Sequence, residues 1–524
     1  MGKDASFIET LALREQYRDW YIEKRDPIAE DRMLWRAQTF RHMVHLLPGQ
    51  TILELGCGDG HFTQALYRIS RGENSITAVT FSSQDAKPRQ TSHTVEYLSL
   101  GDFPDKLGSR QFDFIVAMDL LDQRNCAWFL QKIYGLLKPG GEVVLYESNP
   151  WNPVHKLHRL LAHCVGRPDP RRLLSQLQLY ELLSEIGFVR SFAIFNDFVY
   201  APLTPRLVWL LRNLSIVMEN APVVRRIAGA IVVHTQKPPR VVPKPKIALC
   251  DKDALREAVS IVIPCHNEET NIRPLVDGLR VYYDSYIHEI ILVDDNSSDK
   301  TKQVIESLRE DDSRIKPFYR NGPNGVGRAL ADGYRAATGT YVLSMDCDFQ
   351  HLLPELRDIF NAAADGFDVV VGSRFSRHSV LLNYPVMKII ANRGFHALAQ
   401  ILLARRFHDL TNNLKLIRRE VIEKLQLTQA GFAVNAETGL QPLIMGYKVK
   451  EVPISWINRM SDMGMSSFKL IRVGGGYWRV LLHAWLRCAL GTGHYQNLTS
   501  VGSARSTFRE WGKAEIGAAL EQIK

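Results

Sequence analysis

Asp346 and Asp348 stand one residue apart after Gly339-Thr340-Tyr341-Val342-Leu343, a short apolar run of β-formers. A strand ending in two carboxylates presents hard oxygen ligands at the mouth of a sheet, where Mg²⁺ or Mn²⁺ can bind and keep positions open for a diphosphate. Asp-x-Asp alone also suits a pair of solvated turn carboxylates, so its surroundings decide. Val259-Ser260-Ile261-Val262-Ile263-Pro264 runs into Cys265-His266-Asn267-Glu268-Glu269, and Glu289-Ile290-Ile291-Leu292-Val293 ends in Asp294-Asp295-Asn296-Ser297-Ser298-Asp299. Three apolar strands each delivering polar groups at the carboxyl end predict a nucleotide site on an open parallel α/β sheet.

A second constellation lies nearer the start. Thr51-Ile52-Leu53-Glu54-Leu55 leads into Gly56-Cys57-Gly58-Asp59-Gly60 and then His61-Phe62-Thr63. A strand, a glycine turn and a helix start in that order let backbone pass close to a ligand.

The elements that must position these groups occupy 524 residues, enough for two or more domains with sizeable cores. Hydrophobic content of 45% and charged content of 23% are those of a globular protein. The seven cysteines form no CxxC pair or regular framework, which suits reduced thiols and a cytoplasmic setting. The first residues carry no apolar signal-peptide core, and no apolar run has the ~18 residues of a spanning helix. A net charge of +9 without a basic-aromatic module or zinc spacing argues against nucleic acid. It suits phosphorylated substrates or anionic headgroups, or simply a solvated basic surface. Residues 1–48 read as a helical extension with no chemistry assigned, able to serve as a lid. Residues 49–235 form the first α/β domain. The stretch 236–254, with Gln236-Lys237-Pro238-Pro239-Arg240 followed by more prolines, reads as a stiff linker. Residues 255–475 form the second α/β domain, and 476–524 amphipathic helices.

The second half resembles the family 2 inverting glycosyltransferases, in particular the dolichol-phosphate-mannose-synthase-like branch. The resemblance rests on the segments at 259–268 and 293–299, on Met345-Asp346-Cys347-Asp348-Phe349-Gln350-His351 and on Val371-Gly372-Ser373-Arg374-Phe375, extended by Asn458-Arg459 and the segment 464–469. It implies a GT-A fold binding a nucleotide-sugar, with Pro264, Glu268 and Asp295 around the nucleoside and Asp346, Asp348 and Gln350 on the metal. It also implies catalytic roles for Asp348 and for the basic residues Arg374 and Arg459.

The first half resembles the class I S-adenosylmethionine-dependent methyltransferases, on Glu54-Leu55-Gly56-Cys57-Gly58-Asp59-Gly60, Phe112–Asp119 and Leu136–Glu147. The resemblance implies two Rossmann-like domains in one chain. It places Glu54, Gly56 and Gly58 along the methionine and ribose of the cofactor and Asp102 near its adenine. One departure stands out: Ser75-Ile76-Thr77-Ala78-Val79 should be followed by an acid that grips the ribose hydroxyls, and Thr80 is there instead. For methyl transfer to oxygen, His155, His158 and His163 are the base candidates, each also readable as a surface histidine.

The sugar acceptor stays open at this level. A hydroxyl needs a carboxylate base, for which Glu437 and Asp409 are candidates; a phosphate is already a nucleophile and needs cations, for which Lys388 and Arg393 are placed. The expected acceptor is polyprenyl phosphate or a related glycolipid. The alternative is a glycan hydroxyl, with the first domain a non-catalytic binding module; a nucleotidyltransferase is the third reading. Apolar residues at 478, 481, 482, 485 and 486 predict an amphipathic helix that packs on the domain by default or lies at a membrane interface; the expected setting is cytoplasmic, and in the second case peripheral on the cytoplasmic face of a membrane.

Overall fold

Runs of Val, Ile and Leu buried on both faces become the strands of two mostly parallel sheets, as such runs do when helices cover both sides. The computed structural model describes residues 2–25, 28–81, 94–99, 107–164, 172–199, 205–221, 223–238, 249, 252–347, 353–376, 379–382, 384–457 and 470–500. They fall into two units, 1–245 with 383–386, and 246–382 with 387–524.

In the first unit, seven strands form one sheet: β1 (Thr51–Leu55), β2 (Ser75–Thr80), β3 (Val95–Ser99), β4 (Phe112–Met118), β5 (Leu137–Ser148), β6 (Val189–Asn196) and β7 (Ala230–Gln236). Their order is β3-β2-β1-β4-β5-β7-β6, and the sheet is parallel except at β7, which runs against both β5 and β6. The order reverses between β1 and β4, the switch point where such sheets open a crevice for ligand. Ile52, Leu53, Leu55, Ile115 and Val116 are fully buried at that point. The expected turn at Lys138–Gly141 is drawn into β5, with an irregular register between Phe112 and Phe114. Ahead of the sheet come α1 (Gly2–Arg25) and a helix at Ala29–Met43.

The second unit holds β8 (Val259–Cys265), β9 (Ile287–Asp294), β10 (Ile315–Tyr319), β11 (Tyr341–Ser344), β12 (Val369–Ser373), β14 (Lys415–Arg418) and β15 (Val449–Pro453) in one sheet, with β13 (Val380–Leu382) and β16 (Ser455–Ile457) as a separate parallel pair. The order is β10-β9-β8-β11-β14-β12-β15. β14 runs antiparallel to both neighbours, an inversion the sequence patterns do not reveal. Helix Val326–Ala336 lies so close to this sheet that a Cβ on Gly333 would stand 2.3 Å from Val262 Cγ1. Only glycine permits that approach.

The C-terminal helix spans Leu470–Leu490. It buries Val480, Leu481 and Ala484, while Trp478 and Leu482, expected on the apolar face, are 51% exposed each. The expected face is thus split: packing selects Val480, Leu481 and Ala484 and leaves Trp478 and Leu482 outside. Among the described residues no helix is long and apolar enough to cross a membrane.

Candidate active sites

In the second unit, β8, β9 and β11 are parallel neighbours, so their carboxyl ends lie side by side. The loops leaving β8 and β9 are stitched together. Asn267 N donates to Ser297 Oγ (2.9 Å), Ser298 N to Asn267 Oδ1 (2.8 Å) and Glu268 N to Thr301 Oγ1 (2.9 Å). Asn267 and Asn296 both take positive φ, a conformation asparagine tolerates better than most residues. Glu268 is half-buried and accepts from Asn271 Nδ2 (2.6 Å). Asp295 is buried; its Oδ1 pairs with Arg320 and its Oδ2 accepts from Gly325 N (2.6 Å). It therefore ties the loop 320–325 to the end of β9. Pro264 is half-buried, and its carbonyl accepts from Cys347 Sγ at 3.7 Å.

Asp346 follows β11 and is half-buried, its Oδ1 accepting from Asn413 Nδ2 (2.7 Å). The Oδ1 of Asn413 has no hydrogen-bond partner among the described residues and is shut off from solvent. Pro264, Glu268, Asp295 and Asp346 are thus gathered on the ends of adjoining strands. Asp348, Gln350 and Arg459 lie outside the described residues, as does the glycine- and serine-rich segment 461–467. Among the described residues no three His, Cys, Asp or Glu side chains cluster as a metal site.

Arg374, expected to act in catalysis, emerges from β12 into a buried ion pair. Its Nε and Nη2 bond the two oxygens of Asp409 at 2.7 and 3.0 Å. Asp409 is fully buried and also accepts from Arg374 N and from Thr411 N and Oγ1. Burial opposes its charge, but the Arg374 guanidinium and these donors outweigh burial and hold the carboxyl far below the usual range. A carboxylate so stabilised is a weak base.

The other base candidate, Glu437, is also fully buried. Its oxygens accept from Thr428 N and Oγ1, Gln429 N and Tyr495 Oη. Its place inside helix Val434–Met445 turns it inward, where it fastens the loop 428–429. Arg393 offers a different picture. Its guanidinium lies over the Phe375 ring at 5.6 Å, and its Nη1 is shut off from solvent with no hydrogen-bond partner among the described residues. Lys415, which no motif singles out, is fully buried beside this pair, donating to Asn412 O, Asn435 O and Thr438 Oγ1; burial pulls it down to about 7.

In the first unit, Gly56, Gly58 and Gly60 all adopt positive φ. Gly56 N and Cys57 N bond Val79 O, and a Cβ on Gly56 would meet Leu120 Cδ1 at 2.9 Å. The turn is thus folded tightly against β2 and the segment after β4. Glu54 is buried beneath it. Asp102 lies outside the described residues. Across the crevice, Glu147 at the end of β5 accepts from Leu120 N and Leu121 N, and burial raises it to about 8 against the partial opposition of Arg14. Arg14, Glu15 and Arg18 reach into the same crevice from α1. No local motif marks them: α1 carries many charges along its length, and nothing in the sequence singles out these three. Of the candidate histidines, His155 is described at the helix start, with its backbone N–H on Asn152 Oδ1; the side chains of His158 and His163 lie outside the described residues.

Comparison with known proteins agrees with both halves. Residues 27–189 match the methyltransferase domain family model, and residues 260–426 match the model of glycosyl transferase family 2. The chain is 30% identical over 213 residues to the polyprenol monophosphomannose synthase of Mycolicibacterium smegmatis, covering 39% of this chain and 79% of that protein. It is 29% identical over 202 residues to the dolichol-phosphate mannosyltransferase of Pyrococcus furiosus, covering 38% of this chain and 56% of that protein. A solved structure of glucosyl-3-phosphoglycerate synthase from Mycobacterium tuberculosis aligns with 47% of this chain and 84% of its own at 19% identity and a TM-score of 0.36. The chain carries a methyltransferase domain and, through its second half, belongs to glycosyl transferase family 2.

Proposed function

We propose that the second unit moves a sugar, with inversion, from a nucleotide-sugar to polyprenyl phosphate or a related glycolipid, and that the first unit is an S-adenosylmethionine-dependent methyltransferase. The observation that carries the choice of acceptor is the condition of the two candidate bases. A hydroxyl must surrender its proton as it attacks, and both Asp409 and Glu437 are buried and engaged. A phosphate oxyanion needs no base; it needs cations. Arg393, whose Nη1 is desolvated and has no hydrogen-bond partner among the described residues, is suited to hold one. The mannosyl-transferring names of the two relatives agree with this reading.

Asp346, Asp348 and Gln350 are the proposed ligands of Mg²⁺ or Mn²⁺. The described part of the set fits, since Asp346 and the orphaned Asn413 Oδ1 offer hard oxygen donors at one strand end. A divalent ion bound there would neutralise charge on the departing diphosphate. Asp295, held by Arg320 and Gly325 N, fixes the loop against which the nucleoside would rest, and Glu268 lines the same edge. Arg459 is proposed to close on the diphosphate. For the first unit, the turn at 56–60, with glycine at three positions of positive φ after β1, leaves backbone free of side chains for close approach, which fits S-adenosylmethionine.

Met387 (65% exposed) and Ile390 on helix Val386–Leu403, with Trp478 and Leu482 on the C-terminal helix, give apolar surface for peripheral contact with the cytoplasmic face of a membrane. The test is Arg393→Gln. It should raise KM for a short polyprenyl phosphate at least tenfold while leaving KM for the donor within about twofold. An unchanged acceptor KM refutes the phosphate-holding role.

A further inference from the structure

The missing acid at the end of β2 has a counterpart in space. Glu15, in the middle of α1, is fully buried, and its carboxylate bridges the ends of β1 and β2, on one side of the crevice. Oε1 accepts from Gly58 N at 2.8 Å; Oε2 accepts from Thr80 Oγ1 at 3.0 Å and from Phe81 N at 2.8 Å. β1 and β2 are parallel neighbours with Leu55 opposite Val79, so the glycine turn and Thr80 leave the sheet side by side. An acid at position 80 would extend its carboxylate into the same few ångströms that Glu15 occupies, one hydrogen bond from the Thr80 hydroxyl.

We propose that Glu15, delivered by α1, is the carboxylate that engages the ribose hydroxyls of the cofactor in place of the acid lacking at Thr80. This rests on the reading of the first unit as an S-adenosylmethionine site. Three observations support it. Thr80 donates its hydroxyl to Glu15, whereas an acid there would set two carboxylates against each other; threonine at 80 and glutamate at 15 are complementary. The donors around Glu15 are the glycine-turn N–H and the N–H following β2, the backbone groups that border a ribose in folds of this type. And α1 is seated in register: Arg14 Nε donates to Asp119 O (2.8 Å), Arg18 Nη1 to Met118 O (3.2 Å), and Leu11 is fully buried in the core. The two arginines are one helical turn apart and grip the end of β4, which fixes where Glu15 falls.

The experiment is calorimetric binding of S-adenosylhomocysteine and of its 2′-deoxy counterpart to the full chain, as wild type, Glu15→Gln, Glu15→Ala and the double variant Glu15→Ala with Thr80→Asp. Wild type should prefer the hydroxyl-bearing ligand, and Glu15→Gln and Glu15→Ala should bind it roughly tenfold or more weakly. Both single variants should lose discrimination between the two ligands. Thr80→Asp in the Glu15→Ala background should restore binding and discrimination, a rescue that loss of helix packing does not produce. If wild type binds and Glu15→Ala binds equally well, the inference fails alone. If Glu15→Ala binds more tightly, α1 obstructs the crevice and the inference is overturned. If wild type binds neither ligand at millimolar concentration, the cofactor reading falls and takes the inference with it.

Discussion

Replacing Asp409 by asparagine separates a structural from a catalytic role for the buried pair in the second unit. The substitution keeps shape but removes one acceptor oxygen and the charge that Arg374 faces. In the native protein Asp409 collects five donors, from Arg374 N, Nε and Nη2 and from Thr411 N and Oγ1, and it is fully buried. An asparagine presents only one oxygen to that ring of donors and turns an NH2 group toward part of it. Arg374, a residue 8% exposed, then loses the carboxylate charge that faces it in the interior. Breaking a buried pair in this way costs about 3–5 kcal/mol, which for a unit of this size corresponds to roughly 6–20 °C in Tm. The assay is scanning calorimetry of the full chain, with hydrogen exchange of peptides covering 369–376 and 407–413 to locate the loss. A Tm change of less than about 2 °C, or loosening confined to the first unit, would refute the reasoning.

Other perturbations have defined outcomes. Asp348→Ala should abolish sugar transfer while leaving S-adenosylhomocysteine affinity within about twofold of wild type; full metal-dependent transfer by the variant would remove the metal assignment. Glu437→Gln should weaken the 428–429 loop and lower stability by about 1–3 kcal/mol, read by urea unfolding, since its oxygens hold Thr428, Gln429 and Tyr495. Gly333→Ala forces a Cβ into Val262 and should cost about 1–3 kcal/mol. Glu147, raised by burial to about 8 from an ordinary 4.5, keeps its proton in the folded state over a range where the unfolded chain has lost it. The stability of the first unit should therefore fall as pH rises from about 4.5 to about 8, and Glu147→Gln should flatten that slope in pH-dependent calorimetry.

The two sheets were legible because each strand carries its own signal. Val259–Cys265, Ile287–Asp294 and Thr51–Leu55 are apolar runs closed by polar or glycine residues, and the chemistry at their carboxyl ends is written in the next few positions. What was not legible depends on partners distant in the chain. Asp409 and Glu437 read as candidate bases, and only the fold shows Arg374 and the 428–429 loop bonded to them. β14 is inserted against the direction of β11 and β12, and nothing in its four residues records that inversion. Thr80 was visible as a departure, but Glu15, 65 residues earlier, carries no motif to connect the two. The helix Leu470–Leu490 was legible as amphipathic, and the choice of which face to bury was made by the surface it meets.

The central claim is that the second unit glycosylates a lipid phosphate. Its most direct test is release of nucleoside diphosphate from a panel of nucleotide-sugars by the full chain with Mn²⁺ or Mg²⁺, with and without a short polyprenyl phosphate. Release from one donor that depends on the lipid phosphate is the predicted result. Release that ignores the lipid and requires a saccharide acceptor would contradict it.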